Sequence, residues 1–348
     1  MPLATNNVTK GTRESLSDML IENDKSVLLL FPIIPKLGKP GAPEHKFPAD
    51  RPGEVDNAGV KEGAPPKAAA SMSEDYNLLT TFYHHITATV GVTKIAELLV
   101  NRAGVGNGKL LAREIAKALK AMGVAIERIL LDEGDLQRKT DAVGYETRGF
   151  MKWCSNAAQS VEAVPEKYRT PLAAVYDETV NGAQTFAALS EDVFGDQLQS
   201  LFDENGEEEE INYIAGSSLR RKISSWIVHE PDVASTTTIR RVNGTDGELK
   251  KRVTRITTDF GTVRLDTSRF LATPRGTRLS TRTSAQKLVS KRSGLGYCPG
   301  AIKLRVIQDI MVNKLDPVNG SSAGKNVELD AIIMTEADPQ CMAKIRVA

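Results

Sequence analysis

The chain has 348 residues, a formal net charge of +1, and 41% hydrophobic, 26% charged and 5% aromatic residues. At about 100–200 residues per domain this allows two or three domains with real cores; average charge and hydropathy exclude a fully disordered chain, and near-neutrality removes the bulk electrostatic pull toward nucleic acid or membrane. The three cysteines, Cys154, Cys298 and Cys341, are far apart without CxxC spacing, which excludes a disulfide scaffold and a cysteine-rich zinc site and suits a reducing compartment.

Residues 1–40 read as an N-terminal arm. Ser15 to Ile21 is a short amphipathic piece, and Val27 to Pro35 is extended, because Pro32 and Pro35 each push the preceding residue out of the helical region. This apolar strip must dock, either on its own domain or on a neighbouring subunit. Glu22, Asp24 and Lys25 precede it where a signal peptide would be basic, and no run approaches the roughly 18–20 apolar residues that span a bilayer. The start therefore predicts a soluble protein made in the cytoplasm, with no membrane partner.

Residues 38–70 alternate prolines (Pro40, Pro43, Pro48, Pro52, Pro65, Pro66) with glycines and carry almost no large apolar side chains. Such a stretch cannot offset its own ordering entropy, so it is a flexible linker or a long loop that orders against a partner. From Tyr76 to Val90 a period of two predicts one strand with Tyr76, Leu78, Phe82, Ile86, Ala88 and Val90 on its buried face. His84 and His85 then point to opposite faces and cannot share a metal.

From Lys109 to about Leu131, the residues Leu111, Ile115, Ala118, Leu119, Met122, Ile126, Ile129 and Leu130 recur at three- and four-residue steps. Arg113, Glu114, Lys117, Lys120, Glu127 and Arg128 fill the other faces, which predicts a long amphipathic helix. Residues 140–165 read as loop and 171–203 as helical. Ile211 to Ala215 reads as a strand, followed by a helix capped by Ser217 or Ser218 and running through Leu219, Ile223 and Trp226. Strands are predicted over Ser235–Val242, Leu249–Asp259 and Thr262–Phe270, and then over Ala301–Val312 and Val327–Thr335, with Ala343–Val347 closing the chain.

The glycine-rich turn Ala103 to Leu110 invites a nucleotide-binding reading. A phosphate-binding loop needs Gly where Ala103 stands and Ser or Thr where Leu110 stands, and a dinucleotide fingerprint needs Gly at Leu111. A hinge before the helix explains the glycines as well. Hydrolase signatures are absent, and with four histidines acid–base chemistry would fall to carboxylates, whose densest run, Glu207, Glu208, Glu209 and Glu210, reads as solvated. Catalytic, cofactor and metal residues are therefore none.

Charge segregation is more informative. Between Thr170 and Leu219 there are eleven acids and no Lys or Arg, and between Thr267 and Gln308 nine bases and no Asp or Glu. The basic run around Arg275, Arg278, Arg282, Lys287, Lys291 and Arg292 could contact phosphate, although it lacks interleaved aromatics for base stacking. Alternatively the two blocks are complementary faces, within one domain or between copies of the chain, and one sequence supplies both. Glu207, Glu208, Glu209, Glu210, Arg275, Arg278 and Arg282 are the candidate interface residues.

The arm beginning Arg13-Glu-Ser-Leu-Ser-Asp-Met-Leu-Ile, the apolar stretch, the Pro/Gly-rich loop, the long charged helix and the pair Thr258-Asp-Phe-Gly-Thr-Val-Arg-Leu-Asp-Thr-Ser-Arg-Phe occur together. With Thr147-Arg-Gly-Phe-Met-Lys-Trp-Cys-Ser-Asn and Ser217-Ser-Leu-Arg-Arg-Lys-Ile-Ser-Ser-Trp, the order resembles major capsid (head) proteins of tailed double-stranded DNA bacteriophages, with the Hong Kong 97-type capsid fold. The resemblance implies an α+β fold: an N-terminal arm over 1–40, an extended loop over 41–75, a peripheral domain over 76–165 and 301–348 with the long helix as its spine, and an axial domain over 166–300. It implies a structural protein that self-assembles as pentamers and hexamers into an icosahedral head, with portal, scaffold or decoration proteins as partners. Packaged double-stranded DNA would lie inside without sequence-specific binding. The alternatives are a nucleotide-dependent enzyme built on the turn before Lys109 and a nucleic-acid-binding protein using 275–292.

Overall fold

The computed structural model describes residues 28–50, 58–65, 76–93, 110–180, 182, 184–205, 210–227, 253–315 and 325–347. The strand expected over Ser235–Val242 and the first amphipathic piece, Ser15–Ile21, lie outside them. In chain order the elements are β1 (Lys36–Leu37), β2 (Glu44–Ala49), β3 (Asn77–Phe82), β4 (His84–Val92), α1 (Leu110–Leu130), α2 (Phe150–Trp153) and β5 (Val175–Asp177). Then follow α3 (Glu191–Asn205), β6 (Glu210–Ala215), α4 (Ser217–Ile227), β7 (Arg255–Thr258), β8 (Gly261–Thr267) and α5 (Ser284–Arg292). The chain closes with β9 (Gly294–Tyr297), β10 (Ile302–Leu315), β11 (Lys325–Ala337) and β12 (Met342–Arg346).

Among the described residues three sheets form: β1-β10-β11-β4, β5-β12-β9-β6-β8-β7, and the two-stranded ribbon β2-β3. The chain divides into two units, one containing Thr87–Val124 and Ile310–Asp330, the other Leu28–Ile86, Ala125–Asp309 and Ala331–Ala348. In the first, Val92 and Leu110 are buried together with Leu111 against them, and Met311, Val312 and Leu315 leave apolar surface exposed on β10.

The larger unit is organised by its six-stranded sheet. Alternate residues of β6 and β8 (Ile211, Tyr213, Ala215; Val263, Leu265) join Leu198, Leu201, Leu219 and Ile223 of α3 and α4 in one core with Ala343 and Ile345 of β12. Strand β9 fits because it is Gly-Leu-Gly-Tyr: a Cβ on Gly294 or Gly296 would lie 2.7 or 2.8 Å from the Tyr213 ring, so only glycine lets that ring cross the strand. Helix α5 carries a capping box, with the Thr283 hydroxyl accepting from the Gln286 N–H and the Gln286 side chain accepting from the Thr283 N–H.

Several expectations need correction. The segment 171–203 is helical only from Glu191; Pro171 opens a single 3-10 turn and Val175–Asp177 becomes a fully buried strand parallel to β12. The single strand over 76–90 is two strands broken at Tyr83. Strand β4 keeps the expected alternation, with His84 inward and His85 outward, but β3 buries Leu79 to Phe82 consecutively and leaves Leu78 50% and Tyr76 56% exposed. On α1, which matches the expected span, Met122, Ile126 and Leu130 are buried while Leu119 is 37% exposed. Residues 140–165 hold the short helix α2 and a bridge between Gln137 and Glu146.

Part of the proline-rich stretch is ordered on its own chain. Strand β2 pairs antiparallel with β3 from Glu44↔Phe82 to Ala49↔Asn77, a ribbon edge where Pro48 is tolerated. Phe47 packs on Trp153 at 6.0 Å between ring centroids, and Arg138 bridges Glu44 (3.3 Å) and Glu162 (2.6 Å). The described part of the arm also docks internally. Leu30 and Ile34 are buried, and β1 runs parallel to β10 at Lys36↔Leu304.

Candidate subunit interface and the polar network behind it

The motif Thr147 to Trp153 is the centre of a buried hydrogen-bond network. The Thr335 hydroxyl donates to the Arg148 carbonyl (2.5 Å), receives the Trp153 indole N–H (3.2 Å) and meets the Thr147 hydroxyl (2.9 Å). The Thr147 hydroxyl also meets that of Thr81 on β3 (3.3 Å), so one cluster ties β3, α2 and β11 together. Arg148 is fully buried. Its Nε donates to Asp135 (2.8 Å), its Nη2 to the Val161 and Glu162 carbonyls (2.6 and 3.1 Å), and its guanidinium lies 4.5 Å from the Trp153 ring centroid. Gly149 is required because a Cβ there would meet the Asp132 carboxylate at 2.2 Å.

Of the candidate interface residues, Arg275 belongs to this interior. It forms a bidentate pair with Asp132 (2.7 and 2.9 Å) and reaches Glu146 (3.1 Å) and the Thr147 carbonyl (2.8 Å). Burial opposes its charge, and the Asp132 and Glu146 carboxylates outweigh burial, so its pKa moves up. A guanidinium with four acceptors inside one chain is not a free surface cation. Arg282 is half-buried and donates to the Arg269 carbonyl (3.2 Å) and the Thr273 hydroxyl (3.3 Å). Burial, then repulsion from Arg128 and Arg269, lowers its pKa. Arg278 is exposed. Glu210 opens β6 at the sheet margin and pairs with Arg255 (2.9 Å), while Glu207, Glu208 and Glu209 lie outside the described residues.

Three structural carboxylates escape a reading by periodicity. Glu127, assigned to the polar face of α1, is fully buried and accepts the backbone N–H groups of Leu29 (3.1 Å), Leu30 (2.9 and 3.1 Å) and Phe31 (2.8 Å). These N–H groups open a turn in which the Ile33 and Ile34 N–H bond back to the Leu30 carbonyl, so Glu127 caps the arm where it meets the body. Asp177 pairs with buried Lys344 at 2.6 Å and with Arg346 at 3.4 Å, while Glu133 holds Arg346 at 2.7 Å. A run of acids on a solvated face and a lone acid aimed at a distant backbone look alike in sequence.

The titratable groups are arranged to hold the chain together. Burial, then the charge of Arg275 and of His85, pushes His84 down to about 4, so it is neutral at physiological pH. Among the described residues no group of three or more His, Cys, Asp or Glu side chains could hold a metal ion, and no helix is long and apolar enough to cross a membrane. The turn before Lys109 lies outside the described residues.

Comparison with known proteins agrees with the architecture. The capsid protein of the cyanophage P-SCSP1u superposes with a TM-score of 0.65 at 10% identity, covering 99% of this chain and 97% of that one. The capsid of an empty GTA particle gives 0.58 at 12% identity over 99% and 98%, and Mycobacterium phage Adephagia 0.56 at 12% over 100% and 99%. At such low identity the superpositions, which span nearly the whole of each chain, show the fold: that of phage capsids. No curated protein matches the chain in sequence. The sequence model of the SU10 major capsid protein family matches residues 3–325. The chain therefore belongs to the SU10 major capsid protein family and is a structural capsid protein of a virion, which leaves the nucleotide-enzyme and free nucleic-acid-binding readings without support.

Proposed function

We propose that this chain assembles as pentamers and hexamers into an icosahedral head enclosing double-stranded DNA, and that it has no catalytic activity of its own. The observation that carries the reading is the family match across residues 3–325, joined to a fold likeness over the whole chain. In this reading 1–40 is the arm, 41–75 the loop extended over a neighbour, 76–165 with 301–348 the peripheral domain, and 166–300 the axial domain. A two-stranded ribbon is marginal alone, and Leu78 on β3 and Tyr76 just before it are 50% and 56% exposed, which suits covering by an adjacent subunit.

The acidic run Glu207 to Glu210 and the basic segment that includes Arg278 are the complementary faces within a ring, since a head-to-tail ring needs two different surfaces on one chain. Arg275 and Arg282 support this from within by holding the basic segment in place. DNA, in this reading, meets the shell only through phosphate charge. Portal, scaffold and decoration proteins complete the particle, which is built in the host cytoplasm.

Sedimentation and negative-stain microscopy of the purified chain, over a series of salt and protein concentrations, test the proposal. Closed shells are expected; a chain that stays a small discrete oligomer throughout would sink it. Nucleotide hydrolysis lost in Lys109→Ala would overturn the non-catalytic part.

A further inference from the structure

Cys298 and Cys341 are distant in sequence but neighbours in the six-stranded sheet. Strands β9 and β12 pair antiparallel with Met342 opposite Tyr297, and the next pair in that register is Cys341 opposite Cys298. The ladder continues through it, because the Cys298 N–H donates to the Cys341 carbonyl at 3.0 Å. The two thiols are also within hydrogen-bonding reach of each other. Directly opposed residues of an antiparallel pair have Cα atoms about 4.5–5.5 Å apart, inside the range of about 4.4–6.8 Å that a disulfide spans. Neither cysteine is in a disulfide; Cys298 is buried and Cys341 partly exposed. Both residues line an open cavity of about 440 Å³ with Phe47, Tyr168, Lys303 and Asp338, large enough to admit a small molecule beside them.

We propose that Cys298 and Cys341 are a redox modification site that closes to an intrachain disulfide when the chain meets a small-molecule disulfide such as oxidised glutathione. The thiolate of Cys341, the more exposed sulfur, attacks the oxidant, forming a mixed disulfide and releasing one small thiol. The Cys298 thiolate then attacks the Cys341 sulfur, forming the protein disulfide and releasing the second small thiol. Two protein S–H protons pass to the released thiolates, the protein loses two electrons, and the oxidant gains them. The bond joins β9 to the C-terminal strand at a point where the ladder already holds them, so little backbone movement is needed. The hydrogen bond with Cys298, then burial, then the Asp338 carboxylate raise the Cys341 pKa, which lowers its thiolate fraction and slows the first attack, so oxidation should speed up as pH rises. Cys154, fully buried, serves as an internal control.

The test uses the unassembled full-length chain, so its outcome is separate from that of shell formation. The chain is incubated with oxidised glutathione at mildly alkaline pH, then denatured, alkylated and mapped by peptide mass spectrometry. The thiols titratable in denaturant should fall from three to one, with a Cys298–Cys341 linked peptide, an intact mass lower by two hydrogens, and full reversal by dithiothreitol. Cys298→Ser should instead stop at a stable glutathione adduct on Cys341. Three titratable thiols after prolonged oxidation, a persistent glutathione adduct on Cys341 of the parent chain, or disulfide-linked dimers would each overturn the proposal.

Discussion

Arg275 and Arg278 lie in the same run of bases, and their surroundings differ completely. Arg275 is wrapped by Asp132, Glu146 and the Thr147 carbonyl, joined to the interior that Thr147, Arg148 and Thr335 organise. Arg278 is exposed, like Glu210 at the other charge block, whose partner Arg255 is itself largely in solvent. A charge taken from water depends on its fixed partners, whereas an exposed charge keeps its hydration and contributes only about 0–1 kcal/mol per pair, screened by salt. One block of sequence therefore combines a structural clamp with an exposed basic surface.

The sharpest way to break this comparison is to truncate the two arginines separately. Arg275→Met leaves Asp132 buried without its main partner and should cost about 3–5 kcal/mol, read by denaturant unfolding of the unassembled chain. Arg278→Met should stay within about 0.5 kcal/mol. Equal costs would erase the distinction between interior and surface.

Glu127→Ala should come next. It removes the acceptor for three backbone N–H groups, and a loss of about 2–3 kcal/mol is expected, with new protease cleavage near Leu30. Glu127→Gln keeps one acceptor oxygen and should recover part of both.

Acid sharpens the comparison further. For Asp135 burial opposes the charge but Arg148 outweighs it, and for Asp177 burial is outweighed by Lys344, so both titrate below the ordinary 3.8. Their stabilisation is complete above that value and is lost as pH falls through the lowered folded values. Burial raises Asp132 and Glu133, whose protonation on the way down acts with the opposite sign. His84, held down to about 4, costs stability as pH falls below the ordinary histidine value of 6.5, so calorimetry of the unassembled chain should show Tm declining from about pH 6.5 and falling more steeply below about pH 4.

The smallest effect on folding belongs to the exposed block. Changing Glu207, Glu208, Glu209 and Glu210 to lysine should leave unfolding almost unchanged while slowing shell assembly or moving its optimum to higher salt. Reversal of Arg278 should restore part of the rate. Assembly at the parental rate and salt optimum would reduce the acidic run to a solvated loop.

Much of the fold was legible where one periodicity ran uninterrupted. Helix α1, the β6–α4 pair and the long strands β10 and β11 all stand where the pattern put them. The reading failed at β5, because a three-residue strand buried on both faces has no alternation to detect, and it carried the helix back through Pro171. It failed at Leu78 because the break at Tyr83 lets β3 bury consecutive residues. For the candidate interface, segregation of charge was visible, but the partner of each charge was not.

The sequence by itself determined which segments could become helix or strand, that the arm and the proline-rich loop needed a surface to dock on, and which kind of shell protein this is. Those properties are local or additive: side-chain period, turn chemistry, composition and the order of elements along the chain. Only the tertiary structure decided that Arg275 belongs to Asp132, that Glu127 caps the arm, that Phe47 settles the base of the loop on Trp153, and that Cys298 faces Cys341. Each is a contact between residues far apart in sequence, and its energy comes from desolvation and fixed geometry that exist only after the sheets have set their register.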